Sequence, residues 1–147
     1  MKKLFSTTDD AGLALIRIAL GVVMFPHGAQ KMLGWFGGYG WTGTMGYFTG
    51  MLHVPALFGA LAIFAEFFGS LGLVTGLLGR VAAFGILSNM VVAVVMVHSK
   101  VGFFMNWGGT IQGEGFEYAI LAIAMALLIV WKGSGKYSVD KVIVGKA

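Results

Sequence analysis

The residues best equipped for chemistry in this chain stand inside or beside long apolar runs. Arg17, His27, Gln30 and Lys31 fall in the first run, which closes on FPHGAQKMLGWFGG, residues 25–38. Glu66 lies in the second, Asn89 and His98 in the third, and Glu117 and Tyr118 open the fourth. Histidine exchanges a proton near neutral pH. Lysine offers a charge to an anionic or carbonyl-bearing head group, and buried carboxylates hold or relay protons. A charge at the centre of a bilayer costs about 2.5–3.5 kcal/mol on the insertion scale, so each such residue marks a functional site by default. The candidate acid–base groups are His27, Glu66 and Glu117. Arg17, Gln30, Lys31, Asn89, His98 and Tyr118 join them as pocket candidates, with Trp35 and Trp107 from the flanking stretches and no metal ligand set.

Helical spacing orders these groups. At 3.6 residues per turn, Arg17, Met24, Gly28 and Lys31 share one face with His27 on its flank, a stripe that should point inward. Pro26 lacks a backbone donor and predicts a kink that turns His27 toward the interior. The face of Glu66 carries Gly59, Ala62, Gly69 and Ser70, small residues that admit a neighbouring helix. A carboxylate there must be protonated, paired or hydrated. With the spans laid flush, Glu66 sits roughly 6 Å from the level of His27 and about 9 Å from that of Arg17. His27 is then the easier direct partner, and Arg17 reaches through its long side chain or a water. Asn89 and His98 fall on opposite faces of an ideal helix and converge only if that helix is distorted. His27, Lys31, His98 and Glu117 share a depth near the outer surface. The plain alternatives are snorkelling for this outer group and an interhelical strut for Glu66.

The elements that must position these groups are membrane helices. The chain has 147 residues, of which 58% are hydrophobic and 11% charged, with a mean hydropathy of +0.87; a soluble domain carries about 25% charged residues. It reads as one all-α integral membrane domain. A crossing takes about 20 residues, and four segments qualify: 11–33, 55–78, 81–99 and 116–131. They predict an antiparallel bundle of four transmembrane helices, with a tight turn at Gly79-Arg80. Lys2, Lys3, Arg80, Lys132, Lys136, Lys141 and Lys146 lie on one side, against Lys31 and Lys100 on the other. By the positive-inside rule both termini are cytoplasmic. The first apolar run is too long for a signal-peptide core and is expected to be retained.

The two outward loops alternate glycine with aromatics, GWFGGYGWTGTMGYFTGMLHV and VGFFMNWGGTIQGEGFEY. Trp and Tyr prefer the headgroup level, so these loops form an aromatic belt, a lid over an outward-facing pocket, or both. Phe25, Trp35, Trp41 and Trp107 are candidate walls and rim.

Several classes are excluded. Without cysteine there is no thiolate metal site, no cysteine-held iron–sulfur cluster and no Cys nucleophile in this chain. The net charge of +4 follows topology and does not indicate nucleic acid. No P-loop, HExxH or GxSxG occurs, and the loop glycines lack the βαβ setting of a nucleotide fingerprint. His27 and His98 without a spacing rule are a poor haem signal, and the scattered methionines read as core filling rather than copper ligands.

Taken in order, LIRIALGVVMFPHGAQKMLGWFGG, AEFFGSLGLVTGLLGRVAA, GFEYAILAIAMALLI and GSGKYSVD resemble the DoxX family of small four-helix membrane proteins. The resemblance runs from about Leu13 to Asp140. It implies a multi-pass protein of a bacterial or archaeal cytoplasmic membrane, and the family's name comes from subunits linked to thiosulfate:quinone oxidoreductase activity and a terminal oxidase. The positions it carries over are Arg17, Pro26, His27, Gln30, Lys31, Glu66, Arg80, Phe116, Glu117 and Tyr118, without assigned roles.

Two functions follow. One is a quinone-linked redox subunit whose electrons come from a partner subunit or a bound cofactor, with His27, Glu66 and Glu117 relaying protons and Phe25, Trp35 and Trp107 walling a flat slot. The other is a non-enzymatic binding or assembly protein for a lipid, a small hydrophobe or a partner protein. A homo-oligomer in the bilayer is compatible with either.

Overall fold

The computed structural model describes residues 2–145, with the side chains described from residue 4; Lys146 and the side chains of Lys2 and Lys3, used in the charge count, lie outside the described residues. Every regular element among them is helical. The α-helices are α1 (Lys2–Phe5), α2 (Ala11–Leu33), α3 (Gly40–Gly46), α4 (Ala56–Thr75), α5 (Gly79–Met96), α6 (Glu117–Lys132) and α7 (Val139–Gly145), and short 3₁₀ or π turns lie at Trp35–Gly37, Tyr47–Met51 and His98–Lys100. Three helices are long and apolar enough to cross a membrane: Ala11–Leu33, Ala56–Thr75 and the Gly79–Lys100 stretch that continues α5. The fourth expected span, α6, has 16 residues, a rise of about 24 Å against a hydrocarbon core of about 30 Å.

Local chemistry sets these boundaries. The Asp10 side chain accepts from the Leu13 amide at 3.1 Å and starts α2, satisfying one of the orphan donors of a first turn. Gly34, at φ 75°, ends it in the left-handed region that glycine enters without penalty. Between those caps α2 runs unbroken through Pro26, so the expected kink does not interrupt the helix. α4 follows Pro55 and stops at Gly76, φ 69°. The turn between α4 and α5 therefore falls at 76–78, earlier than Gly79-Arg80. Arg80 lies inside α5, where its guanidinium donates to the carbonyls of Val130 at 2.5 Å and Trp131 at 2.8 Å. Those are last-turn carbonyls of α6, which a helix leaves unpaired.

Packing follows from small residues. A Cβ on Gly28 would lie 2.6 Å from the Phe67 Cα, and one on Gly21 would lie 2.9 Å from the Ser70 carbonyl oxygen. α2 and α4 thus touch backbone to backbone and run antiparallel. α4 packs on α5 through Gly69 and Gly72 against Ala82. α5 in turn packs on α6, which also lies along α2. Leu13, Leu20, Met24, Leu73, Ile86, Ala126 and Ile129 fill the space between them. Leu57, Phe58, Leu61, Phe64 and Phe68 of α4 point outward and exposed, the arrangement expected of a helix whose solvent is lipid.

The chain ends are tied to this body. The Gly135 amide donates to Thr7 Oγ1 at 2.6 Å, and the Lys136 amide to the Asp10 carbonyl at 3.0 Å. Lys141 pairs with Asp9 at 2.5 Å and by that hydrogen bond holds the exposed carboxyl below the usual aspartate range.

Candidate functional site

Gly28 against Phe67 and Gly21 against Ser70 and Val74 fix how α2 and α4 are staggered. Glu66 lies level with the Gly28–Lys31 turn, and Arg17 lies about 16 Å further along the α2 axis than Gly28. The flush alignment behind the expected Glu66 partners is therefore replaced. Glu66 pairs with neither His27 nor Arg17. Its Oε1 accepts from Lys31 Nζ at 2.8 Å and its Oε2 from Asn89 Nδ2 at 3.1 Å. The carboxylate does face the interior and bonds a polar group of the first span, as expected, but the group is Lys31. Its length lets the ammonium reach inward from near the end of α2, where the imidazole of His27 cannot.

This triad forms the floor of a cavity of about 850 Å³. Glu66 and Asn89 each lie about 15 Å from the first residue of their helices, close to the middle of α4 and α5. His27, Tyr118 and Met24 wall one side; the His27 and Tyr118 rings are 6.3 Å apart, and the Tyr118 hydroxyl donates to Met24 Sδ at 3.4 Å. Most of the remaining walls are apolar, with Ala62 and Ala65 of α4 and Gly85, Ala93 and Met96 of α5 among them. Tyr47, Phe48, Leu52 and Val54, from the segment between α3 and α4, line the cavity's loop side together with Met105 and Glu114.

His98 also reaches the cavity. The distortion that its spacing from Asn89 demanded occurs at Val97, where φ −122° and ψ −65° end α5 and start a short 3₁₀ turn. His98 Nδ1 lies 2.8 Å from the Glu114 carbonyl oxygen, which joins the end of α5 to the loop before α6.

Other candidates stand apart from this cavity. Glu117 turns to the loop: its Oε1 accepts from the Met105 amide at 2.9 Å and from Trp107 Nε1 at 3.1 Å. It fixes the loop instead of facing the cavity. Gln30 donates to the Phe36 carbonyl at 3.2 Å and holds the turn after α2. Trp35 packs edge-on against Phe36, Trp41 against Phe64 and Phe25 against Phe67. None of these four aromatic or amide side chains, nor Trp107, is among the cavity walls.

Arg17 belongs to a second polar centre at the other end of the helices. Fully buried, it donates to the carbonyls of Leu73, Val74, Ser134 and Tyr137. Beside it Asp140, also buried, accepts from the Leu78 amide at 2.7 Å, the Gly79 amide at 2.9 Å and Ser134 Oγ at 2.5 Å. Asp140 and Ser134 were missed as polar partners of the hairpin because both follow the last apolar run, where no periodicity marks a buried face. The stretch GSGKYSVD, quoted for its likeness to a family, was their signal.

Against known proteins, a family model described as DoxX matches residues 12–99. That region includes Arg17, His27, Lys31, Glu66, Asn89 and His98. Neither the curated proteins nor the solved structures gave a match.

Proposed function

The chain belongs to the DoxX family, and we propose that it is a membrane protein whose cavity holds a membrane-dissolved ligand of quinone type. The observation that carries this reading is the polar floor, Lys31–Glu66–Asn89, in a cavity whose other walls are mostly apolar. Ligand sites are concave and mostly apolar, with a few convergent polar groups that orient the ligand. Lys31 Nζ, bonded to Glu66 and to the His27 carbonyl, has a third proton for a ligand carbonyl, and Asn89 Oδ1 can accept from a ligand hydroxyl, both Nδ2 protons being taken by Glu66 and the Ala62 carbonyl. His27 lies within reach of the same space as a proton donor or acceptor.

In this reading α6 is a fourth crossing. Its shortness is met by local thinning of the bilayer or by the interfacial residues that flank it, and both termini lie in the cytoplasm. The quinone side of a redox reaction is then housed here, with electrons brought by a partner subunit or a bound cofactor. The inner membrane of a bacterium or archaeon is the setting this implies.

A second reading, ligand binding without redox chemistry, is favoured by one specific feature. Both Glu66 oxygens already have partners, so the floor is complete as a binding surface before any proton moves. Native mass spectrometry of gently solubilised protein tests both. The expected result is a retained quinone-sized adduct that Asn89→Leu loses. A quinone spectrum altered by His27→Ala supports the redox reading. Coelution with a neighbour protein and no adduct would overturn both in favour of an assembly role.

A further inference from the structure

The cavity walls include side chains from the lipid-facing surfaces of α4 and α5. On α4, Phe58 is 61% exposed and Leu61 51%; on α5, Phe84 is 60% exposed and Val92 51%. All four line the cavity that reaches down to Glu66, and Ser88 stands exposed between Phe84 and Val92. Phe84, Ser88 and Val92 are spaced i, i+4, i+8 and form one edge along α5. The two helices are closest further in, where a Cβ on Gly85 would meet the Ala65 Cβ at 3.1 Å and one on Gly69 the Ala82 carbonyl oxygen at 3.3 Å. One turn further out they are joined through a side chain, Asn89 Nδ2 donating to the Ala62 carbonyl at 3.3 Å. With exposed side chains of both helices in its walls, the cavity is open sideways, between two helices whose exposed faces meet lipid.

From this geometry, and resting on the ligand reading above, we infer that the ligand carries a long apolar tail and enters from the bilayer between α4 and α5. The head sits on the Lys31–Glu66–Asn89 floor and the tail leaves through the gap edged by Phe58 and Ser88. Charge supports a neutral head: the Lys31 ammonium is already matched by the Glu66 carboxylate at 2.8 Å, and a further anion at the floor would meet that carboxylate. A tail gains little by moving from lipid to an apolar groove, because lipid chains are equally apolar. Its role is geometric, and so is the test.

Menadione and phylloquinone carry the same type of head, the first without a tail and the second with a phytyl tail. The full-length protein in lipid nanodiscs is expected to bind both. Ser88→Trp plugs the gap and should weaken phylloquinone by at least about tenfold, because the tail and the indole cannot share the gap and the head is held off the floor, a clash within the ordinary range for overpacking, while menadione, small enough to lie inside, changes little. Val95→Trp, equally bulky on the exposed face of α5 but away from the cavity, should affect neither. Phe84→Ala, which widens the gap, should speed phylloquinone loading. If Ser88→Trp keeps phylloquinone, or weakens menadione as much, the lateral route is wrong while the site stands. If the unaltered protein binds neither compound, the ligand reading falls and the route with it.

Discussion

Lys31 Nζ lies 2.8 Å from Glu66 Oε1, joining the last turn of α2 to the middle of α4, with the carboxylate 2% exposed and the lysine 29%. The difference in burial decides what each partner contributes. Glu66 depends on the pair because it has no water to turn to. Lys31 can turn its ammonium toward the cavity.

Removing the carboxylate should therefore be costly. Glu66→Ala strands the Lys31 charge and the Asn89 amide, and breaking a buried pair from one side costs about 3–5 kcal/mol. The partial exposure of Lys31 places the expected loss at the lower end, read as a fall in thermal stability in detergent. Glu66→Gln keeps an acceptor for Asn89 and should lose about 1–2 kcal/mol. Lys31→Met combined with Glu66→Gln should recover stability relative to Glu66→Ala. Equal damage from Gln and Ala would mean that charge, and not hydrogen bonding, holds this position.

The helix-rich, apolar character and the extents of the main helices could be read from the runs themselves: residues 11–33 coincide with α2, and the others agree to within a few residues. The partner of Glu66 could not. It depends on the stagger of α2 against α4, which follows from the backbone contact of Gly28 with Phe67; hydropathy reports how long a span is and says nothing of its vertical offset. Arg17 was misplaced for the same reason. The hairpin turn shifted because Asp140, 61 residues away, binds the Gly79 amide, a long-range bond with no local signal. Glu117 turned to the loop because the donors that bind it, the Met105 amide and the Trp107 indole, belong to a glycine-rich stretch without periodicity.

That contact yields a prediction of its own. Gly28→Ala adds a methyl group where the Phe67 backbone already stands at 2.6 Å. Alanine gains about 1 kcal/mol of helix propensity over glycine, but here the neighbour is backbone and cannot swing aside. Overpacking costs about 1–3 kcal/mol, so net destabilisation is expected. The wedge would also separate Lys31 from Glu66, so ligand binding should weaken together with stability. A more stable variant with unchanged binding would show that the helices do not meet at this turn.

Arg17 should behave in the opposite way toward the cavity. Its planar guanidinium serves four carbonyls on α4 and the tail, a geometry that a lysine ammonium does not reproduce. Arg17→Lys should lower stability by about 2–3 kcal/mol, roughly one or two charged hydrogen bonds. Affinity for menadione in the folded protein should not change, because the site is remote along α2. A selective loss of binding at unchanged stability would put Arg17 back among the ligand contacts.

His27 decides between a ligand site and a merely anchored helix end. Among the described residues its ring nitrogens have no protein hydrogen-bond partner; the bond at this residue is Lys31 Nζ to its backbone carbonyl, at 3.4 Å. The ring faces the cavity beside Tyr118, so its free nitrogens are available to a ligand. If the residue only anchors the helix, His27→Ala behaves as an ordinary exposed substitution and shifts stability by no more than about 0.5 kcal/mol, with menadione binding unchanged. If it contacts a ligand head, stability is equally unaffected, yet affinity falls about tenfold, as expected for one lost hydrogen bond of ordinary strength. His27→Gln, which restores a donor at similar reach, should recover part of that loss, whereas His27→Phe, which restores only bulk, should not. Thermal unfolding and menadione titration of the three variants in nanodiscs separate the accounts. Recovery by Phe as well as by Gln would reduce His27 to a wall of the cavity.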